Sequence, residues 1–226
     1  MKFKILKIIP PLFISFLFSV TANAGVVIGG TRLIYNEGSS QSSISINNPD
    51  NKPYLIQSWI TKSSDKDDND NTFVSTPPIF KLEPKSQNSV RIVYTGKPLP
   101  KDRESVFWLN IKSIPSTDPN AQNQLLITVN SKMKLFYRPS GLNGAPGEAY
   151  KELKFTQKNG LVTISNPSSY NVSIYQILFD GRENKEITMI PAKGYITVHS
   201  AHYKNVKWSS INDFGSITTA LSKNIE

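Results

Sequence analysis

The sequence predicts an all-β protein built as two β-sandwiches in tandem, and three observations carry that expectation. Segments rich in Val, Ile, Tyr, Phe and Trp recur about every 8–12 residues between turn signals, the spacing of sandwich strands. No stretch sustains a 3.6-residue apolar period, so little helix is expected. Ser140-Gly141-Leu142-Asn143-Gly144-Ala145-Pro146-Gly147 holds three Gly and one Pro in eight residues, which marks a joint between two strand series. The chain of 226 residues is long enough for two hydrophobic cores, and its 38% apolar and 19% charged residues are ordinary for a folded protein.

Residues 1–24 form a separate object. Lys2, Lys4 and Lys7 precede an apolar run from Ile8 to Val20, and Ala22-Asn23-Ala24 has the small-x-small pattern of a cleavage site. The run contains Pro10 and Pro11 and is shorter than the roughly 20 residues a spanning helix needs, so a cleaved secretory signal is expected rather than a stable membrane anchor. The mature chain then starts at Gly25. Loss of the three lysines, with no acid among them, takes the formal charge from +9 to +6. A mildly basic exported chain without a Lys/Arg block is a poor nucleic-acid partner. The absence of cysteine excludes disulfides, thiol catalysis and thiolate metal sites.

In chain order, Val26 to Ile34 reads as an edge strand bent or bulged at Gly29-Gly30. Ser42 to Asn47 alternates at Ile44 and Ile46 and stops at Asn48-Pro49-Asp50. Tyr54 to Ile60, Pro78 to Leu82, Ser89 to Tyr94 and Ser105 to Ile111 continue the series. Leu125 to Tyr137 is the longest strand-forming stretch, closed by Arg138-Pro139, with Leu125, Ile127 and Val129 on one face. A long apolar strand at a sheet edge is an aggregation site unless the protein uses it. Beyond the joint, Asn159-Gly160 between Leu153–Thr156 and Leu161–Ser165 is a hairpin signal. Val172 to Phe179, Ile187 to Ile190, Tyr195 to His199, Val206 to Trp208 and Ser216 to Leu221 complete a smaller sandwich.

Catalytic and metal chemistry find no support in the residues. Asp65 to Asn71 looks like a calcium loop only superficially, because Asp70 stands where Gly is needed and Thr76 where a bidentate Glu is needed. His199 and His202 lack a third ligand, and no nucleophile–base motif or phosphate loop is present. No enzyme activity, metal or cofactor is expected. An exported adhesive or carbohydrate-binding module is an alternative that these features alone leave open.

One stretch is more specific. Leu99-Pro100-Lys101-Asp102-Arg103-Glu104-Ser105-Val106-Phe107-Trp108-Leu109-Asn110-Ile111-Lys112-Ser113-Ile114-Pro115-Ser116 closely resembles the signature of the PapD-like periplasmic pilus chaperones. Gly30-Thr31-Arg32-Leu33-Ile34-Tyr35 resembles that family's first strand, and Lys132 to Pro139 the end of its seventh. Asn166-Pro167-Ser168 and Ile211-Asn212-Asp213-Phe214-Gly215 resemble motifs of its second domain.

The resemblance implies two immunoglobulin-like sandwiches set in an L with a cleft between them, residues 25–143 forming the first and 144–226 the second. It implies a periplasmic chaperone of a Gram-negative bacterium that caps pilin subunits and passes them to an outer-membrane usher. By the same resemblance Arg32 and Lys134 hold the subunit's C-terminal carboxylate, and Leu125, Ile127 and Val129 are donated to the subunit's incomplete fold. Arg91, Glu104 and Asp213 fall on an ion network between the domains, with Arg103 a competing partner for the network. The cysteine-free connection from Thr117 to Gln124 resembles the short-loop branch of the family. An uncovered donor strand also suits capping by a second copy of the chain when no subunit is bound. Lys134 has the opposite parity to Leu125, Ile127 and Val129, so a twist or bulge between Val129 and Lys134, or an anchor set to one side, is expected.

Overall fold

The computed structural model describes residues 25–65, 68, 71–117, 125–199 and 202–225. The expected signal segment, positions 66, 67, 69 and 70 of the acidic loop and positions 118–124 of the expected short connection lie outside these residues.

Two sheets enclose the first core. One has the order β1-β3-β7-β5, where β1 is Val27–Ile28, β3 is Ser42–Asn47, β7 is Gln87–Tyr94 and β5 is Phe73–Thr76. The other has the order β2-β9-β8-β4-β6, with β2 Arg32–Asn36, β9 Val129–Arg138, β8 Ser105–Pro115, β4 Tyr54–Thr61 and β6 Ile79–Leu82. Period-two alternation aims Ile44, Ile46, Val90 and Ile92 of the first sheet at Leu33, Ile56, Leu109, Ile111 and Leu135 of the second. Tyr35, Phe73, Tyr94 and Tyr137 close one end of this core as an aromatic cluster with ring centroids 4.9–6.3 Å apart.

The stretch read as a single first strand is two. β1 pairs with β3 in one sheet, whereas β2 pairs in parallel with β9 in the other. The chain changes sheets at Gly29-Gly30, and a Cβ on Gly29 would lie 2.0 Å from Ser45 Oγ, so a larger residue there requires the Ser45 hydroxyl to rotate away.

The second core lies between a three-stranded sheet, β10-β11-β15, and a five-stranded sheet in which β13-β12-β16-β17 are consecutive and β14 also pairs with β12. These strands are β10 Lys154–Lys158, β11 Leu161–Asn166, β12 Val172–Phe179, β13 Arg182–Glu183, β14 Met189–Ile190, β15 Gly194–His199, β16 Asn205–Ser210 and β17 Leu221–Asn224. Asn159 and Gly160 both take positive φ, 52° and 73°, which closes the β10–β11 hairpin as its sequence requires. Phe155 and Trp208 pack with ring centroids 4.7 Å apart, and Trp208 Nε1 donates to the Tyr150 carbonyl at 2.9 Å. The last strand begins later than expected, at Leu221, because Ile211 and Ile217 form a bridge that folds 212–216 into a turn. Leu142, between the two strand series, packs on this second core. Among the described residues no helix is long and apolar enough to cross a membrane.

Candidate subunit-binding cleft

The two sandwiches meet across an ion network centred on Arg138, the last residue of β9. Its Nε donates to Glu104 Oε1 at 2.7 Å, and its two terminal nitrogens donate to Asp213 at 2.7 and 3.0 Å. The guanidinium also lies over the Tyr170 ring, 5.4 Å from its centroid. Glu104 Oε2 accepts from the Asn171 backbone N–H at 2.8 Å, so the carboxylate joins both sandwiches. Burial raises the Glu104 pKa, against the lowering effect of the Arg138 charge. Further out, Lys193 reaches Asp102 at 3.1 Å.

Glu104 and Asp213 are thus placed together as the resemblance implied, but Arg91 is not with them. Arg91 is exposed on β7, opposite Ser43 and Thr76, on the outer face of the other sheet. The cause is alternation: its neighbours Val90 and Ile92 are fully buried, so Arg91 must point to solvent. Arg103 pairs with exposed Asp102 and takes no part either. The residue that sequence reasoning missed is Arg138. Its signal was its parity, since it shares the outer face of β9 with Lys134 and Phe136.

Arg32 and Lys134 stand side by side in the cleft. They are direct partners in the parallel β2–β9 ladder. Arg32 donates to the Ile211 carbonyl at 2.9 Å, lies 6.0 Å from the Phe136 ring centroid, and keeps a buried Nε without a hydrogen-bond partner among the described residues. Lys134 Nζ lies 5.8 Å from the Trp108 ring centroid and donates to the Thr188 carbonyl at 3.3 Å. Burial, then the charge of Arg32, lowers Lys134 to about 8. Burial likewise lowers Arg32. Neither cation makes an ion pair among the described residues, because Arg138 engages the nearby Glu104 and Asp213. Two adjacent, partly desolvated cations without a paired acid can receive an anion.

The rest of β9 explains what approaches that site. β2 covers β9 only from Lys134 to Arg138, whereas β8 pairs along the whole of Val129–Tyr137. Among the described residues, the stretch Val129–Met133 therefore pairs on one side only, an open sheet edge that ends where Arg32 begins β2. An extended chain laid on this edge in line with β2 runs parallel to β9, as β2 does, and brings its carboxyl end to Arg32.

Leu125, Ile127 and Val129 are 82%, 64% and 54% exposed. Ile127 and Val129 border an apolar groove of about 320 Å³ with Val26, Ile28, Tyr54 and Ile111, at the open end of the first sandwich. The β8–β9 register runs unbroken from Val129 to Tyr137, so of the expected alternatives no bulge occurs and the cations lie to the other side of the strand. Val129 has the parity of buried Met133, Leu135 and Tyr137, while Lys134 takes the opposite, cleft-facing side. The apolar face is the core face of the same strand, continued beyond the reach of the covering sheet. Leu125 to Thr128 precede β9 and lie outside any strand.

Residues 25–143 match the N-terminal domain of the pili and flagellar-assembly chaperone PapD, and residues 148–222 match the C-terminal domain of the pili assembly chaperone PapD. The chaperone protein FocC of Escherichia coli is 39% identical over 213 residues, covering 91% of this chain and 92% of FocC. The probable fimbrial chaperone LpfB of Escherichia coli O157:H7 is 36% identical over 233 residues, covering 100% of this chain and 98% of LpfB. The crystal structure of the periplasmic chaperone SfaE superposes with a TM-score of 0.75 at 34% identity, covering 89% of this chain and 100% of SfaE. The Salmonella enterica SafA pilin in complex with the SafB chaperone gives a TM-score of 0.81 at 28% identity, covering 91% of this chain and 99% of the matched one. With both of its domains matched in order along the chain, this protein belongs to the PapD family of pilus-assembly chaperones.

Proposed function

We propose that this protein is an exported, periplasmic chaperone that binds fimbrial subunits by lending them the start of β9, caps them, and delivers them to an outer-membrane usher. The observation that carries this reading is the edge at Val129–Met133, paired on one side only and ending at the Arg32–Lys134 pair. Backbone pairing along the edge supplies affinity for any extended chain, and side chains at every second position supply fit. Leu125, Ile127 and Val129 fill a subunit groove left by a missing strand, each contributing about 1.5–3 kcal/mol before ordering costs. Arg32 and Lys134 receive the subunit's terminal carboxylate and so set the register, because a slip by one residue would turn every donated side chain away. The Arg138 bridge to Glu104 and Asp213 holds the two sandwiches at the angle that keeps the cleft open.

Strand exchange with the next subunit releases the cargo, so the role needs no nucleotide or cofactor and no catalytic group. The test is co-expression with a cognate pilin in the periplasm, followed by co-purification. Arg32→Ala and Lys134→Ala each lower recovery of the subunit by more than tenfold, with the chaperone itself still folded. Undiminished recovery with the double variant rules out the carboxylate anchor.

A further inference from the structure

We propose that Phe214 is an apolar contact for the last residues of the bound subunit, a specificity element beside the carboxylate site. The inference rests on the anchor reading of Arg32 and Lys134 and extends it to the side chains next to the carboxylate. Phe214 is 92% exposed, the most exposed large apolar residue of the described chain. Its loop is nevertheless fully tied down. Asn212 Oδ1 accepts from the Phe214 and Ser216 N–H groups at 3.0 and 2.9 Å, and Asp213 is held by both terminal nitrogens of Arg138. Gly215 takes φ +81°, and a Cβ there would meet Thr31 Oγ1 at 3.0 Å, so the loop apex leans on the residue before Arg32. Arg32 itself donates to Ile211, at the root of the same loop.

Asn212 and Asp213 of this turn are used in hydrogen bonds and the ion network, while the Phe214 ring is left exposed, as in part is Ile217. An aromatic side chain on a rigid loop binds at low ordering cost, which is why such residues dominate interfaces. The backbone of its loop borders the start of β2, through Gly215 beside Thr31 and Ile211 under Arg32. The occupant is therefore the apolar end of the chain whose carboxylate enters between Arg32 and Lys134.

The experiment titrates the intact chaperone with two strand-forming peptides that carry a free C-terminal carboxylate and differ only in their last two residues, Leu-Leu or Ser-Ser. The wild type prefers the Leu-Leu peptide, and Phe214→Ala reduces that affinity by about tenfold while leaving the Ser-Ser peptide within about twofold. Phe214→Leu restores most of the preference. Equal losses for the two peptides, or a wild type that does not discriminate between them, overturns the assignment. Amidated peptides and Arg32→Ala examine the anchor separately: binding indifferent to both removes the carboxylate site, whereas the Leu-Leu preference and its dependence on Phe214 are read independently of that result.

Discussion

Arg32 and Lys134 are direct partners across the parallel β2–β9 ladder, so two cations share one cleft wall with no acid paired to either among the described residues. Such a pair costs the free protein stability, through burial and mutual repulsion, and the cost is recovered when a carboxylate arrives. The arrangement favours the proposed reading of the pair as a receptor for an anion over that of a structural bridge. Its neighbour Arg138 shows the contrast, since the same strand face there is saturated by Glu104 and Asp213.

Binding of a subunit or of a C-terminal carboxylate peptide weakens as pH rises through about 8, because the free protein loses the Lys134 proton there. Stability of the free chaperone moves the other way. The folded pKa lies below the ordinary lysine value of 10.5, so this group's contribution to stability rises with pH between about 8 and 10.5. Titration calorimetry between about pH 7 and about pH 9 checks the first, with Lys134→Arg flattening the profile. Proton uptake on binding above about pH 8 is the accompanying sign.

The exposed stretch before β9 and the buried face of β9 separate function from stability. Ile127→Ala lowers subunit affinity by about tenfold yet leaves the midpoint of urea unfolding unchanged within error, because Ile127 is exposed in the free protein. Leu135→Ala does the reverse at the level of the fold, costing about 2–5 kcal/mol because Leu135 is fully buried. Equilibrium unfolding beside subunit pull-down compares them.

Arg138→Met destabilises the protein by about 3–5 kcal/mol, since it leaves Glu104 buried and unpaired. Combining it with Glu104→Gln recovers a substantial part, as expected of residues in one network. Arg91→Ala stays within about 0.5 kcal/mol of wild type, as its exposed place on β7 requires. Denaturant unfolding of these variants decides whether the network centres on Arg138.

Gly29→Ala costs about 0.5–1.5 kcal/mol, because the added methyl group forces the Ser45 hydroxyl out of its place where the chain crosses between sheets. Ser45→Gly in the same background relieves part of the loss. Thermal unfolding of the single and double variants measures the coupling.

Much of the architecture was legible in the sequence because strand alternation is a local property. Ile44 with Ile46, and Val90 with Ile92, announce a buried face through spacing alone, and Asn159-Gly160 announces its hairpin through the φ values it tolerates. The short strands Phe73–Thr76 and Arg182–Glu183 gave too little alternation to be read. The candidate site was legible mainly through motif resemblance, which pointed to Arg32, Lys134, Glu104 and Asp213 but misassigned the third member of the ion network.

What the residues of β9 say on their own is which of them share a face: Val129, Met133, Leu135 and Tyr137 on one, Lys134, Phe136 and Arg138 on the other. They do not say where cover ends. That Val129 is bare while Leu135 is buried follows from how far the opposing sheet extends over the strand. That Lys134 meets Arg32 and Arg138 meets Asp213 follows from a parallel pairing with a strand about 100 residues away in the chain and from the packing of a second sandwich. Pairings of that range carry no periodic trace in sequence, so the open edge and the unpaired cations emerge only when distant strands are brought together.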